Sequence, residues 1–220
     1  MKKRTGEILV FAALELLLYA LFLYYDLCGI SGNGHFSSTG LKFLGIALCF
    51  LAALHWSSEG GNRLMAWALG FTVAADVCLL LIGSYYLVGV GCFCVVQALY
   101  FCRILRMNGG KTLWWLRALL FALVLGALWY LGQLTPLHAM LALYGTTFLC
   151  NVIQSLGSRT SGLFLAGILL YLLCDLCLAL CYAPIELSGI VSDFLMIATW
   201  MFYLPGQVLL VLSGLPGKGR

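Results

Sequence analysis

The chain is predicted to fold as an all-α, polytopic membrane bundle of about eight transmembrane helices, and three observations carry that expectation. Hydrophobic residues make up 63% of its 220 positions and charged residues 9%, where soluble domains hold about 45–50% and about 25%. A mean hydropathy of +1.04 leaves too little polar surface to cover a water-soluble core, and it equally excludes a disordered chain. Runs such as Leu16-Leu17-Leu18 and Leu79-Leu80-Leu81 are apolar all round, which excludes the in-and-out alternation of a transmembrane barrel.

A spanning helix needs about 20 mostly apolar residues, and such segments are drawn at 7–25, 39–56, 63–82, 85–105, 112–131, 134–155, 161–182 and 190–213. Together they make residues 1–220 a single helical domain without a linker. Lys2, Lys3 and Arg4 precede the first segment as they would a signal peptide. Its apolar stretch is long, however, and no small-x-small cleavage site follows, so it reads as an uncleaved first helix.

Orientation follows from the basic residues. Lys2, Lys3, Arg4, Arg63, Arg103, Arg106, Lys111, Arg159, Lys218 and Arg220 all fall on one side, and on the other only Lys42 approaches. The positive-inside rule then makes both termini cytoplasmic, in the cell membrane if the source is bacterial. The net charge of +4 thus reports topology and forms no soluble patch for nucleic acid. Most of the ten cysteines lie within apolar spans, where cysteine acts as a small hydrophobe, so no disulfide framework is expected. The connection 26–38, with three glycines, Asn33 and His35, reads as a flexible outer loop and a candidate lid.

Ionisable groups inside spans cost at least about 2.5–3.5 kcal/mol without a partner or water, and each therefore invites a functional reading. Asp76 and Asp175 lie in segments that share the pattern D-x-C-L-x-L, on the third and seventh helices, which run in the same direction. Both are expected about 10 Å below the outer end of their helices. Lys42 enters from that same side as its only cation, able to neutralise a carboxylate or to hold a lipid phosphate. Two acids and one base are thus expected to share a cavity. Two carboxyls at one depth allow one to hold a proton while the other is ionised.

Polar stripes point the same way: Gly89, Phe93, Gln97 and Tyr100 on the fourth helix, and Trp200, Tyr203 and Gln207 on the eighth. Glu15, mid-span on the first helix, is a further candidate acid or a structural group. Arg103 and Arg117 are expected to snorkel to the cytoplasmic surface. Asp26 and Asp193 are expected at the outer interface, and His35, His55 and His138 near span ends. No soluble-enzyme motif occurs, and neither Cys174-x-x-Cys177 nor the scattered histidines make a metal ligand set, so no metal or cofactor is expected.

Several of these residues recur in a known family. The chain resembles the YhhN-like lysoplasmalogenases, integral membrane proteins. The likeness rests on Lys42, on Ala75-Asp76-Val77-Cys78-Leu79-Leu80, on the run from Val88-Gly89-Val90-Gly91-Cys92-Phe93 through Gln97 to Tyr100, on Cys174-Asp175, and on Tyr203-x-x-Gly206-Gln207. The family usually has Gly-Asp at 75–76, Lys-Pro at 42–43, often Ser-Asp at 174–175, and histidine where Gln97 stands. Glutamine cannot shuttle a proton as histidine can.

The resemblance implies hydrolysis of the vinyl-ether bond of a lysoplasmalogen to a fatty aldehyde and a glycerophospho head group. Asp76 and Asp175 would be the acid and base in an order left open. Lys42, Gln97, Tyr100, Tyr203 and Gln207 would bind substrate, with lysophospholipid and membrane lipids as partners and no nucleic acid. The alternatives are a proton-coupled transporter, in which the carboxyls form a relay, and a lysolipid-binding protein that has lost catalysis through Gln97.

Overall fold

A computed structural model describes residues 2–30, 37–110, 112–157, 160–183 and 188–216. Among these residues eight α-helices follow one another: α1 (Lys2–Ile30), α2 (Thr39–Ser58), α3 (Arg63–Asp76), α4 (Tyr86–Met107), α5 (Trp114–Tyr130), α6 (Pro136–Leu156), α7 (Gly162–Cys181) and α8 (Gly189–Ser213). No strand forms among the described residues, so the chain is the all-α polytopic bundle its composition demands. Among the described residues seven helices are long and apolar enough to cross a membrane, and α5, with 17 residues, is a shorter apolar helix. His35, Lys111, Arg159, Lys218 and Arg220, and residues 31–36 of the connection read as a lid, lie outside the described residues.

Helix boundaries are set by local chemistry. Asn62, Thr135, Ser161 and Ser188 each accept a hydrogen bond from a backbone N–H in the first turn of the helix they precede, at 3.0–3.4 Å, which satisfies donors that have no intrahelical partner. Pro136 opens α6, where its missing N–H costs nothing. Within α8, Pro205 removes the N–H that would bond the carbonyl of Met201. That carbonyl instead accepts from the Tyr19 hydroxyl of α1 at 3.2 Å, the substitute a membrane interior requires.

Two departures from the expected elements position the site. First, α1 continues to Ile30, five residues beyond the predicted span, so Asp26 is helical rather than part of a loop. Second, α3 does not run evenly to its end: Val77–Leu81 form a π-helical turn that begins directly after Asp76. The wider turn carries Leu79 against α4 at Gly89, where a Cβ would lie 2.5 Å from Leu79 Cγ. Gly89 therefore makes room for a neighbour and belongs to no polar lining.

The helices α7 and α8 pack along their length. Their backbones close up at Gly167 and Gly206, where a Cβ on Gly167 would meet the Gly206 carbonyl oxygen at 3.0 Å. Small residues permit such approaches in membranes, where dispersion rather than water exclusion drives helix association. This contact fixes Tyr171 and Tyr203 beside each other, ring centroids 5.5 Å apart. In contrast α1 buries few residues and touches the bundle along one stripe, from Phe11 on Trp56 through Glu15, Tyr19 and Phe22 to Asp26.

Candidate active site

The two aspartates identified in the sequence sit at matching depths. Asp76 lies five residues before the end of the α3 π-turn at Leu81, and Asp175 six before the end of α7 at Cys181, about 8–9 Å below the helix ends at 1.5 Å per residue. Asp76 is buried and Asp175 partly buried. Each has its own tyrosine. The Tyr203 hydroxyl of α8 donates to both carboxyl oxygens of Asp76, at 3.2 Å to Oδ1 and 3.0 Å to Oδ2. The Tyr144 hydroxyl of α6 donates to Asp175 Oδ2 at 2.6 Å. Among the described residues no basic side chain bonds to either carboxyl.

Aromatic rings connect the two pairs. Tyr171 packs on Tyr203 and on Phe148, at 5.5 and 5.0 Å, while Phe93 of α4 lies against both Tyr144 and Tyr171, at 5.9 and 6.3 Å. Cys174, one residue before Asp175, is buried on α7. Among the described residues the backbones of α3 and α7 do not pack against each other; Phe93 and Tyr171 link the two carboxyl–tyrosine pairs. Tyr144 had no place among the sequence candidates, although it starts an α6 stripe with Phe148 and Asn151 at helical spacing.

Lys42 is placed differently from the expectation that it shares a cavity with both acids. It pairs with Asp26 of α1, Nζ to Oδ2 at 2.9 Å and to Oδ1 at 3.1 Å, and Ser38 also donates to Asp26. The extra turns of α1 bring this carboxylate to the lysine, so Asp26 is not simply solvated at the interface. The pair lines an open cavity of about 370 Å³ together with Tyr25, Asp193 and Trp200. Lys42 Nζ also lies 5.2 Å from the Trp200 ring centroid, and Trp200 packs edge-on against Tyr203 at 5.2 Å. One aromatic ring thus separates this outer vestibule from the tyrosine that holds Asp76.

The remaining candidates occupy other surroundings. Gln97 is tied to α6: Asn151 Nδ2 donates to its side-chain and backbone oxygens at 3.0 and 2.9 Å. Asn151 and Gln154 in turn accept from Arg117 at 2.9 and 2.6 Å, and Arg117 stacks over Phe101 at 4.1 Å. Arg117 therefore does not snorkel; carboxamide oxygens on α6 solvate it inside the bundle. Arg103 is likewise buried, donating to the Ser213 hydroxyl and carbonyl at 2.8 and 2.6 Å at the end of α8, over the ring of Phe164. Tyr100 and Gln207 are buried, and their side-chain polar atoms make no hydrogen bond among the described residues. Glu15 accepts from the Cys49 thiol at 3.3 Å, at the α1–α2 contact, rather than joining the aspartates. His55 stands between Glu7 and Glu59, at 3.7 and 3.9 Å, and no disulfide joins the described cysteines.

An apolar helical bundle of this kind defines a multi-pass integral membrane protein, and the two carboxyl groups held by tyrosine hydroxyls are its candidate site. The chain belongs to the YhhN family, whose model matches residues 37–214, from just before α2 to the end of α8. Neither a comparison with curated proteins nor one with solved structures found a match. The α1 residues that complete the vestibule, Tyr25 and Asp26 among them, lie outside the matched stretch.

Proposed function

We propose that the protein is a lysoplasmalogenase-like hydrolase, which cleaves the vinyl-ether bond of a lysoplasmalogen into a fatty aldehyde and a glycerophospho head group. The observation that carries this reading is the pair of carboxyls, each with its own tyrosine donor and neither neutralised by a cation among the described residues. Membership of the YhhN family supports it.

Enol-ether hydrolysis needs an acid that protonates carbon, an anion that stabilises the resulting cation, and water. One carboxyl, in its acid form, protonates the vinyl carbon remote from oxygen. The second, as carboxylate, faces the oxocarbenium ion and takes a proton from the water that adds to it. The hemiacetal so formed collapses to aldehyde as the glycerol oxygen leaves with a proton. One water is consumed, and no electron is transferred. Two-carboxylate glycoside hydrolysis passes through a similar cation with the same division of roles. In this scheme Gln97 has no proton-transfer step, in keeping with its place in the Arg117–Asn151 network. Lys42 takes no part in these steps; it stands in the vestibule, where its ammonium offers a cation to a phosphate before the lipid reaches the carboxyls.

The test is substrate selectivity of the purified protein in detergent. A vinyl-ether lysophospholipid should release aldehyde, whereas its ester and alkyl-ether analogues should yield no product. Release of fatty acid from the ester analogue would contradict the proposal.

A further inference from the structure

A second cavity, of about 440 Å³, opens between α1 and α8 and is walled almost entirely by apolar surface from Leu23, Leu27, Phe194, Ile197, Ala198 and Met201. Ile197 also lines the vestibule of Lys42, Asp26, Ser38 and Trp200, so the apolar groove and the charged pocket adjoin. Below the groove, α1 and α8 are tied by the hydrogen bond from Tyr19 to the Met201 carbonyl. Above it lies the Lys42–Asp26 pair. An apolar groove alone would merely be coated by membrane lipid. This one ends at a pocket where the Lys42 ammonium keeps donor capacity beyond Asp26, since lysine offers three N–H groups, and where the carboxylates of Asp26 and Asp193 suit the cationic end of a zwitterionic head group.

We propose that the α1–α8 cleft is the entry seat for one single-chain phospholipid taken laterally from the membrane, its hydrocarbon chain in the groove and its phosphate on Lys42. The composite has the shape and polarity of such an amphiphile: one chain-lined groove, one charged pocket, and Ile197 at the junction. It is an entry seat and not the reacting position, because the Trp200 ring stands between the vestibule and the Tyr203–Asp76 pair. The inference rests on the lysolipid reading above and adds where that lipid enters.

The experiment uses the full-length Asp76→Asn protein, which blocks turnover, and a lysophosphatidylcholine with a photoreactive diazirine in its chain. Peptides are mapped after illumination. Labelling is expected on α1 around Leu23 and Leu27 and on α8 from Phe194 to Met201. Leu27→Trp, at an exposed position, or Ala198→Trp should fill the groove and lower that labelling about tenfold. Labelling spread evenly over lipid-facing helices such as α5, or unchanged by either substitution, would overturn the entry seat. Aldehyde release by the wild-type protein is scored separately: turnover without cleft labelling sinks the entry seat alone, and cleft labelling without turnover sinks the hydrolase alone.

Discussion

Removing one oxygen from Tyr203 or from Tyr144 tests whether the tyrosines serve the carboxyls. In Tyr203→Phe the ring stays between Tyr171 and Trp200, at 5.5 and 5.2 Å, and only the hydroxyl shared between the two oxygens of Asp76 is lost. Those contacts, at 3.2 and 3.0 Å, are long beside the roughly 2.5–2.7 Å of a charge-assisted O–H···O bond, whereas the 2.6 Å contact from Tyr144 to Asp175 falls within that range. Hydrogen bonds between neutral groups contribute about 0.5–1.5 kcal/mol and those to charged groups about 1.5–3 kcal/mol. Tyr203→Phe should therefore lower kcat/KM by about 2–13-fold, and Tyr144→Phe by about 13–150-fold. The loss of stability should be smaller, about 0.6 kcal/mol on average for a hydrogen bond inside a membrane protein. The assay is the initial rate of aldehyde release at low substrate, beside a melting curve for each variant. Wild-type activity in both variants, or a larger loss in Tyr203→Phe than in Tyr144→Phe, would refute the reasoning.

Further outcomes follow from the packing. Lys42→Met strands Asp26 and should cost about 1.5–3 kcal/mol in detergent unfolding, most of it recovered in the Lys42→Met, Asp26→Asn double variant; equal costs for single and double would show the pair to be inert. Asn151→Leu removes an acceptor of Arg117 and the donor to Gln97, so melting should fall by the equivalent of about 1.5–3 kcal/mol, with an unchanged melting curve as the contrary result. Gly206→Leu drives a side chain into the backbone of α7, with Gly167 oxygen and Tyr171 nitrogen each 3.2 Å from the new Cβ. It should cost at least about 1–3 kcal/mol and reduce aldehyde release as Tyr171 and Tyr203 separate.

What could be read in advance depended on how strongly a residue conflicts with the membrane. Eight helices were legible because lipid leaves the backbone no other way to satisfy itself along long apolar runs. Asp76 and Asp175 were legible because a carboxyl inside such a run stands out. Tyr144 was not: an aromatic residue in an apolar helix carries no signal until α6 is laid beside α7, although its spacing with Phe148 and Asn151 hinted at an inward face. Arg117 lies one turn into α5, a position that suggests snorkelling, whereas the partners that hold it inside the bundle lie 34 and 37 residues away on α6. Lys42 pairs with Asp26, which lies one residue beyond the predicted first span and so reads from sequence as part of a loop. The π-turn after Asp76 has no counterpart in hydrophobic pattern, since Val77–Leu81 is as apolar as any α-helical stretch.

The proposed chemistry requires both carboxyls, and its most direct test is aldehyde release from a vinyl-ether lysophospholipid by wild-type, Asp76→Asn and Asp175→Asn proteins of matched melting temperature. General acid or base catalysis is worth about 10²–10⁴-fold, so each variant should lose at least about a hundredfold of the wild-type rate. Release from both variants at rates near wild type would contradict the assignment of Asp76 and Asp175 as the acid and base.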